Sequence, residues 1–234
     1  MPAEGDAPPV EAVLLDAGGV LLLPDPAVVT AALSGVGVTP DPAVLVRAHY
    51  TAVAALDRSH DGAWSSYLTA FGTAVGVVDE RLEAAVAALT EAVTAHVWVQ
   101  STDGAADAVQ ALVDAGLRVA VVSNAEGTVE QMLASAGVCQ VGPGAGAPVA
   151  AVLDSYLVGS AKPDPGIMRL GLAAVGATPE TTVFVGDTLR YDVAGAAACG
   201  VRALHLDPWG DCPRPDGHQH LRRLADLPGL LAAA

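Results

Sequence analysis

Acidic, hydroxyl and ammonium side chains follow the ends of short apolar runs in this 234-residue chain. Asp16 comes directly after Val-Leu-Leu, Ser123 and Asn124 come after Val-Ala-Val-Val, and Asp187 comes after Val-Phe-Val-Gly. Lys162 lies a few residues beyond a fourth run. Such runs are typical of buried parallel strands, whose carboxyl ends meet at one edge of a sheet, where ligands bind. A single residue of this kind is often only a turn residue or a helix cap, but four converging strands favour a functional site.

Three carboxylates beside one ammonium predict a Mg²⁺ site, because hard cations prefer oxygen ligands. Asp16 and Asp187 are the expected direct ligands, with Asp192 close by. A phosphate bound to the ion would lose much of its repulsion for an anion, so Asp16 could attack phosphorus and form an aspartyl-phosphate. The Ser123 hydroxyl and neighbouring N–H groups would bind the other phosphate oxygens. Lys162 is the only lysine beside ten arginines, which favours a specific use for its compact ammonium, within reach of Asp16 and the phosphate.

The elements that must position these residues fall into two groups. After the first strand, Val13 to Leu15, the segment from Pro24 to about Gln100 has helix-length patterns and no convincing strand. Beyond it, strands alternate with helices of 10 to 15 residues. This pattern predicts an α/β fold with a Rossmann-like parallel sheet, covered by helices on both faces, and a small all-α domain inserted after the first strand. We predict a core domain of residues 1–23 and 100–234, an inserted helical domain of residues 24–99, a flexible loop over 141–148 and a helix over 220–231.

Composition and charge limit the partners. Hydrophobic residues make up 52% of the chain, and 26 Asp and Glu against 11 Lys and Arg give a formal charge of −15. Such a field repels nucleic acid and anionic membrane surfaces, so we expect a small-molecule ligand. The three cysteines are widely spaced, and residues 1–11 lack the features of a secretory signal. We therefore expect free thiols and a cytoplasmic protein.

Four motifs resemble, in order and spacing, the signatures of the haloacid dehalogenase-like hydrolase superfamily. They read AVLLDAGGVLL, VAVVSN, GSAKPDP and VFVGDTLRYD. The closest resemblance is to members with a helical cap after the first strand. It implies a Mg²⁺-dependent phosphatase acting on a small phosphorylated metabolite, with Asp16, Ser123 and Lys162 as catalytic residues. It also implies that the Gly18 carbonyl ligates the metal and that Asp192 acts indirectly or through water.

Gly18 departs from the pattern of phosphatases in this superfamily. They usually carry a second aspartate at this position, which protonates the leaving group and then activates water. General acid–base catalysis is worth about 10²–10⁴-fold, so its absence matters most for alcohol leaving groups. A non-catalytic protein that binds metal and phosphate is one alternative. A 2-haloacid dehalogenase is another, although VGDTLRYD keeps the metal carboxylates. A phosphonate-cleaving enzyme would need a lysine in residues 24–99, which contain none.

Further contacts to the substrate are expected from Asn124, Gly19 and the inserted domain. Arg47 is the leading candidate there, and it shares a helix face with Tyr50. The other polar candidates are His49, Asp57, Arg58, His60, Asp61, Trp64 and Tyr67. Packing and solvated surface positions are the competing interpretation for each. Near the carboxyl terminus, Cys212, His218 and His220 are a weak indication of a second metal site, and a surface loop is the favoured interpretation. The sequence does not indicate an oligomeric state.

Overall fold

A six-stranded parallel sheet forms the centre of the protein. The computed structural model describes residues 8–60 and 62–233. The sequence predictions for residues 1–7 and Asp61 therefore lie outside the described residues. The strand order is β10-β9-β8-β1-β4-β7, with every neighbouring pair parallel. The predicted α/β fold is confirmed. The strands of this sheet are β1 Ala12–Leu15, β4 Arg118–Ser123, β7 Ala151–Asp154, β8 Thr182–Gly186, β9 Arg202–Leu206 and β10 Gln219–Leu221.

The sheet is buried because its central strands are apolar on both faces. All four residues of β1 are fully buried, as are Phe184 and Val185 in β8. Two separate hydrophobic clusters cover the two faces. The helices that cover the two faces alternate along the chain with the strands, as the sequence predicts. These helices are α5 Ala105–Asp114, α6 Val129–Ser135, α7 Ser155–Val158, α8 Pro165–Val175, α9 Ala194–Ala198 and α10 Leu227–Ala232.

Of the five described α-helices between β1 and β4, the first four pack around a hydrophobic cluster of their own. They are α1 Pro26–Ser34, α2 Pro42–Arg58, α3 Trp64–Ala74 and α4 Asp79–Ala92. Asp25 and Asp41 cap α1 and α2 by accepting a backbone N–H, and a proline follows each cap. A two-stranded antiparallel sheet, β2 Leu22–Pro24 with β3 Trp98–Ser101, joins the two ends of this segment, so the expectation of no strand between Pro24 and about Gln100 is wrong at these ends. The described helices lack the length and apolar character that crossing a bilayer requires.

Two local predictions differ from the structure. The loop predicted over 141–148 is shorter, because residues 142–146 connect two short strands that form a small parallel sheet, β5 Cys139–Val141 with β6 Ala147–Val149. The buried Gln140 amide holds the turn between them: its Nε2 donates to the Gly146 carbonyl oxygen at 2.8 Å, and Gly146 N–H donates to its Oε1 at 2.8 Å. The expected helix over 220–231 begins as β10, passes through a 3₁₀ turn at Leu224–Asp226 and becomes α10 only at Leu227.

Candidate functional site

Lys162 holds two carboxylates together at the carboxyl edge of the sheet. Its Nζ lies 2.7 Å from Asp16 Oδ1, just after β1, and 2.6 Å from Asp192 Oδ1, in a π-helical turn at Leu189–Val193. The lysine side chain is 1% exposed. Burial alone would lower the pKa of Lys162, but Asp16 and Asp192 raise it above its usual value, so the ammonium stays charged.

Asn124, which also lines the cavity described below, positions this lysine through its amide. Its Nδ2 donates to the Lys162 carbonyl oxygen at 2.9 Å, and Lys162 N–H donates to its Oδ1 at 2.7 Å. A two-point contact of this kind fixes the main chain of Lys162 against the end of β4. Ser123, the last residue of β4, is 4% exposed and lines the cavity described below.

Asp192 is held by Thr188 on its other oxygen. Oδ2 accepts Thr188 N–H at 2.9 Å and the Thr188 hydroxyl at 2.7 Å. The turn is tight: a Cβ at Gly186 would lie 2.3 Å from the Asp192 Cβ. Only glycine leaves room for the carboxylate here. Lys162 contacts Oδ1, so both oxygens of Asp192 already have partners. This arrangement agrees with the prediction that Asp192 acts indirectly at the metal site.

Asp187 is reached from the helical segment by His49 of α2. His49 Nε2 lies 3.1 Å from Asp187 Oδ2, and its Nδ1 lies 2.8 Å from the Tyr67 hydroxyl. Burial lowers the pKa of His49 to about 3, although the charge of Asp16 opposes the shift. The ring is therefore neutral, and with Asp187 ionised it donates from Nε2 and accepts the Tyr67 proton at Nδ1. The two hydrogen bonds, from Tyr67 to His49 and from His49 to Asp187, therefore orient the Asp187 carboxylate.

Gly19 makes room for that contact. Its φ is +71°, and a Cβ there would lie 1.9 Å from Asp187 Oδ2 and 2.7 Å from His49 Nε2. Its N–H donates to the Leu22 carbonyl oxygen at 2.8 Å, and its own carbonyl accepts the Tyr50 hydroxyl at 2.7 Å. The predicted substrate contact at Gly19 thus falls on a backbone whose N–H is already engaged in the turn after β1.

Negative charge is left in excess in the cluster. Burial raises the pKa of Asp16 to about 7 although Lys162 opposes it, and burial together with Asp192 raises that of Asp187 well above its usual value. In the described part of the chain, Asp16 Oδ1 has no aligned hydrogen bond, its contact with Lys162 being an ion pair only. One oxygen from each of Asp16, Asp187 and Asp192 lies within 4.8 Å of the others. A hard divalent cation fits this donor set and offsets its charge.

A cavity of about 460 Å³ opens above the cluster, between the sheet edge and the helical segment. Asp16, Gly18 and Lys162 lie at its floor, and Glu126 is a further acidic residue in its lining. The remaining wall is mainly apolar and aromatic, formed by Val53, Leu56, Trp64, Tyr67, Val93, Trp98, Val129 and Met132. Among the described lining residues, Lys162 is the only Lys or Arg.

The structure separates the candidates from the helical segment. His49, Trp64 and Tyr67 line the cavity. Arg47 is outside that lining: its guanidinium pairs with Asp211 and lies 5.2 Å above the Trp209 ring. Tyr50 packs against the same tryptophan at 5.2 Å, so the predicted common face of Arg47 and Tyr50 is observed.

Asp57 fastens the helical segment to the sheet domain. Its carboxylate accepts Leu189 N–H at 2.7 Å and Arg190 N–H at 3.0 Å, at the start of the turn that carries Asp192. The exposed His60 and its neighbour Arg58 lie on a separate surface depression with Arg190. Asp61 lies outside the described residues.

Sequence reasoning missed three residues of the site. Thr188 could have been found, since a threonine four residues before Asp192 is placed to cap the turn. His205 could have been noticed as a polar residue within the buried run of β9; its Nε2 lies 2.9 Å from the Asp187 carbonyl oxygen. Trp98 gives no such signal, because only the fold brings its ring beside Gly18.

A parallel sheet with an Asp–Lys–Asp cluster at its carboxyl edge, beneath an inserted helical segment, defines a class of α/β hydrolases. A model of the haloacid dehalogenase-like hydrolase family matches residues 10–200 of this chain. The protein therefore belongs to the haloacid dehalogenase-like hydrolases, and the resemblance predicted from the four motifs is confirmed.

Two curated relatives carry phosphatase names. The phosphoserine phosphatase of Thermus thermophilus is 45% identical over 67 residues, which are 29% of this chain and 27% of that protein. The phospholysine phosphohistidine inorganic pyrophosphate phosphatase of Rattus norvegicus is 33% identical over 70 residues, 30% of this chain and 25% of that protein. The matched stretches span only about a quarter of either relative.

Solved structures share the whole fold at low identity. A family hydrolase of Deinococcus radiodurans with bound phosphate and sodium has a TM-score of 0.61 at 24% identity, over 97% of each chain. The magnesium-bound hydrolase YfnB of Bacillus subtilis has a TM-score of 0.59 at 17% identity, over 96% of this chain and 99% of its own. A 2-haloacid dehalogenase of Pseudomonas syringae has a TM-score of 0.56 at 22% identity, over 96% and 99%. The fold alone therefore does not separate phosphate chemistry from dehalogenation.

Proposed function

We propose that this protein is a Mg²⁺-dependent phosphatase that cleaves small phosphate monoesters through an aspartyl-phosphate on Asp16. The observation that carries the proposal is the buried cluster of Asp16, Asp187 and Asp192 around a single ammonium, at the floor of a cavity. Three carboxylates with one cation make a poor site for a bare phosphate and a good one for a phosphate accompanied by a divalent cation.

Asp16, Asp187 and the Gly18 carbonyl would hold Mg²⁺, with Asp192 acting indirectly, and the ion would supply neutralising charge and polarise the phosphoryl oxygens. Asp16 attacks phosphorus, the bond from phosphorus to the leaving oxygen breaks, and the leaving group departs as an alkoxide or phenolate that takes its proton from water. Water then cleaves the aspartyl-phosphate, releasing phosphate and restoring the carboxylate. Lys162 neutralises Asp16 and a phosphate oxygen, and the Ser123 hydroxyl donates to another. Asn124 keeps Lys162 in place.

We further propose that residues 24–99 act as a cap over a core of residues 1–23 and 100–234. The separate hydrophobic cluster of the four helices supports this division, as does the cavity between them and the sheet. His49 and Asp57 reach from α2 to the two sides of the Asp187–Asp192 turn. Cap closure would thereby be coupled to the position of the metal carboxylates, and it would exclude water from the reacting phosphate.

The cavity favours a leaving group that is uncharged and largely apolar. Its wall above the carboxylates offers aromatic and aliphatic surface, and Glu126 would repel a second anionic group. Arg47, the cation predicted to contact substrate, is engaged by Asp211 outside the lining. Among the substrates in the names of the two phosphatase relatives, phosphoserine and pyrophosphate carry further charges that this wall does not match. A small metabolite with one phosphate on an apolar body is the best fit, in keeping with an expected cytoplasmic location.

None of the described residues predicted as acids in the inserted segment is placed as a strong general acid. Gly18 has no side chain, and neutral His49 is committed to Asp187 and Tyr67. His60 is outside the cavity lining. We therefore expect the rate to depend steeply on the pKa of the leaving group, with aryl, acyl or anomeric phosphates cleaved much faster than primary alkyl phosphates.

The test is hydrolysis of a series of substituted phenyl phosphates and one primary alkyl phosphate, with Mg²⁺ and with excess chelator. We expect Mg²⁺-dependent phosphate release, lost in Asp16→Asn, with a steep leaving-group dependence. Phosphate binding without turnover on the best aryl ester would instead favour the non-catalytic alternative. Chloride release from 2-chloropropionate, undiminished in chelator, would favour a dehalogenase. Phosphate release at an unchanged rate in chelator would overturn the metal assignment.

A further inference from the structure

Four side chains that bind transition metals converge on the far side of Asp187 from the cavity. They are His205 at the end of β9, Cys212 and His218 in the loop that follows, and His220 in β10. One ligand atom from each lies within 4.8 Å of all the others. His205 is buried and the other three are half-buried. The sequence indicated a metal site only from Cys212, His218 and His220. His205 is brought to them by the pairing of β9 with β10, which the sequence did not reveal.

The separations within this cluster match a tetrahedral metal site. His205 Nδ1 lies 3.3 Å from His218 Nε2, and His218 Nε2 lies 3.6 Å from Cys212 Sγ. With Zn–N of about 2.0 Å and Zn–S of about 2.3 Å, the edges of a tetrahedron are about 3.3 Å between two nitrogens and about 3.5 Å from nitrogen to sulfur. Two edges of the cluster thus already have the length that one zinc ion requires, and the other pairs of ligand atoms lie within 4.8 Å.

Hydrogen bonds around the cluster fix the ligands as metal sites usually do. His205 Nε2 lies 2.9 Å from the Asp187 carbonyl oxygen, which can only accept, so the proton is on Nε2 and the lone pair on Nδ1 faces His218. His220 Nδ1 lies 3.2 Å from Asp207 Oδ2, and its Nε2 lies 3.3 Å from the Pro215 carbonyl oxygen, so one of these two contacts must give way when that nitrogen binds the metal and the other is kept. Carbonyl and carboxylate partners of this kind orient ligating histidines.

We propose that His205, Cys212, His218 and His220 form a structural Zn²⁺ site, separate from the carboxylate site of the proposed phosphatase. One thiolate and three imidazoles select zinc over magnesium, which prefers oxygen ligands. The Cys212 thiol now faces the Arg214 carbonyl oxygen at 3.2 Å, and its proton would pass to solvent when the metal binds. Four protein ligands leave no open position, so the ion stabilises structure and performs no chemistry.

The site would hold together the segment that supports the cap. Between His205 and Cys212 the chain carries Trp209 and Asp211, which contact Arg47 of α2. His205 at the same time supports the main chain of Asp187. Zinc bound here would fix the loop against β9 and β10, and it would thereby stabilise both the cap contact and the backbone of the magnesium ligand.

Cobalt is the probe that separates the two sites. The full-length protein is stripped of metal, reloaded with excess Mg²⁺ and titrated with Co²⁺. We expect one equivalent to produce intense visible bands and a near-ultraviolet sulfur-to-cobalt charge-transfer band, both bleached by one equivalent of Zn²⁺. The charge-transfer band should vanish in Cys212→Ser and persist in Cys199→Ser, a matched control whose thiol also faces a carbonyl oxygen.

A second variant guards against a folding defect in Cys212→Ser. His218→Ala removes a half-buried ring, and it should weaken Zn²⁺ binding by more than the 10–100-fold typical of losing a group that only orients a ligand. Zn²⁺ should raise the melting temperature of the wild type and of Cys199→Ser, and have little effect in the two ligand variants. A folded wild type without the charge-transfer band, or a band that survives in Cys212→Ser, would show that the cluster is only a hydrogen-bonded histidine group.

Discussion

The single lysine of the chain occupies the point where an ammonium differs most from a guanidinium. Its Nζ is within 2.7 Å of one carboxylate and 2.6 Å of another, with a side chain 1% exposed. A point charge can share three donors among two carboxylates and a phosphate, whereas a guanidinium is planar, wider and fixed in its fork geometry. Elsewhere the chain uses arginine. At position 162 a lysine is therefore favoured over an arginine by the shape of its charged group, since both residues carry the same charge.

Lys162→Arg should lower turnover of the best aryl phosphate by about 10²-fold, since displacing reacting groups by about 1 Å is enough for such a loss. The control is Arg169→Lys, a cation exchange at an exposed position of α8. Steady-state kinetics of the two variants in saturating Mg²⁺ make the comparison. If Lys162→Arg had the kcat and KM of the wild type, Lys162 would contribute only a positive charge and its shape would not matter for catalysis.

The Trp98 ring lies beside Gly18, in the space that the side chain of a second aspartate at position 18 would need. A Cβ at position 18 would lie 3.4 Å from the Trp98 ring, which is ordinary contact for a methyl group but leaves little room for a carboxylate beyond it. Gly18→Asp alone should therefore gain little on alkyl phosphates. Combined with Trp98→Leu it should raise their hydrolysis by up to about 10²-fold over Trp98→Leu alone, with little change for aryl phosphates.

Gly18→Ala is the matched control for this series, because its methyl group fits beside the indole. Rates of one alkyl and one aryl phosphate, measured for all variants, give the acid's contribution as a ratio that is insensitive to general damage. An equal change for both substrates would mean that the new carboxylate does not reach the leaving oxygen.

At the scale of elements, α2 is the helix that connects cap and site. Asp57 on α2 is 8% exposed, and it accepts two N–H groups of the turn that carries Asp192. A buried N–H left unpaired costs about 1–3 kcal/mol, and of the two contacts only that of Leu189 is buried, that of Arg190 being partly exposed. The helix thus fixes the metal-binding turn as well as lining the cavity through His49.

Asp57→Ala should lower the free energy of unfolding by about 1–3 kcal/mol and also reduce kcat/KM for aryl phosphates. The control is Asp41→Ala, which removes the exposed N-cap of the same helix and should cost about 1 kcal/mol without affecting kcat/KM. Denaturant unfolding and steady-state kinetics measure the two effects. A loss of stability in Asp57→Ala with unchanged kcat/KM would mean that the contact fastens the cap without positioning the site.

Elements with local signals were predictable from the sequence, and those defined by distant partners were not. Helices α1 and α2, within the segment predicted to be helical, have local signals, because an aspartate cap and a proline mark where each begins. The strands around Asp16, Ser123 and Asp187 were found because both their faces are apolar. The pair β5–β6 depends on the Gln140 side chain closing a glycine-rich turn, and β10 exists only because β9 pairs with it. Neither leaves a periodic pattern in its own residues.

The candidate site followed the same rule. Residues that stand directly after apolar strands, such as Asp16 and Asp187, were visible as a converging set. Arg47 and Gly19 were expected to touch the substrate, but the partners that engage them come from distant parts of the chain. Their assignment stays a prediction, which the observed contacts of Arg47 and Gly19 do not favour. His205 became meaningful only when the sheet brought it to the backbone of Asp187.

At the scale of the whole molecule, a formal charge of −15 opposes the approach of a phosphate dianion. The cavity does not offset this field with a funnel of cations, since among its described lining residues Lys162 is the only Lys or Arg and pairs with Asp16 and Asp192. Attraction is therefore confined to the floor of the site, where the metal would lie. Elsewhere along the path the substrate meets a repulsive surface.

The KM of an aryl phosphate should consequently fall several-fold as ionic strength rises from about 0.01 M to about 0.15 M, since the screening length shrinks from about 30 Å to about 8 Å. The turnover number should change little, because the contacts within the buried cluster are screened far less. Steady-state kinetics in NaCl and in KCl, with Mg²⁺ kept saturating, separate screening from specific ion effects. Glu126→Gln at the cavity should lower KM more than the matched Glu130→Gln, which lies outside the lining on α6. A KM that rises with salt would instead show that the cavity attracts the phosphate over a distance, against the charge of the rest of the molecule.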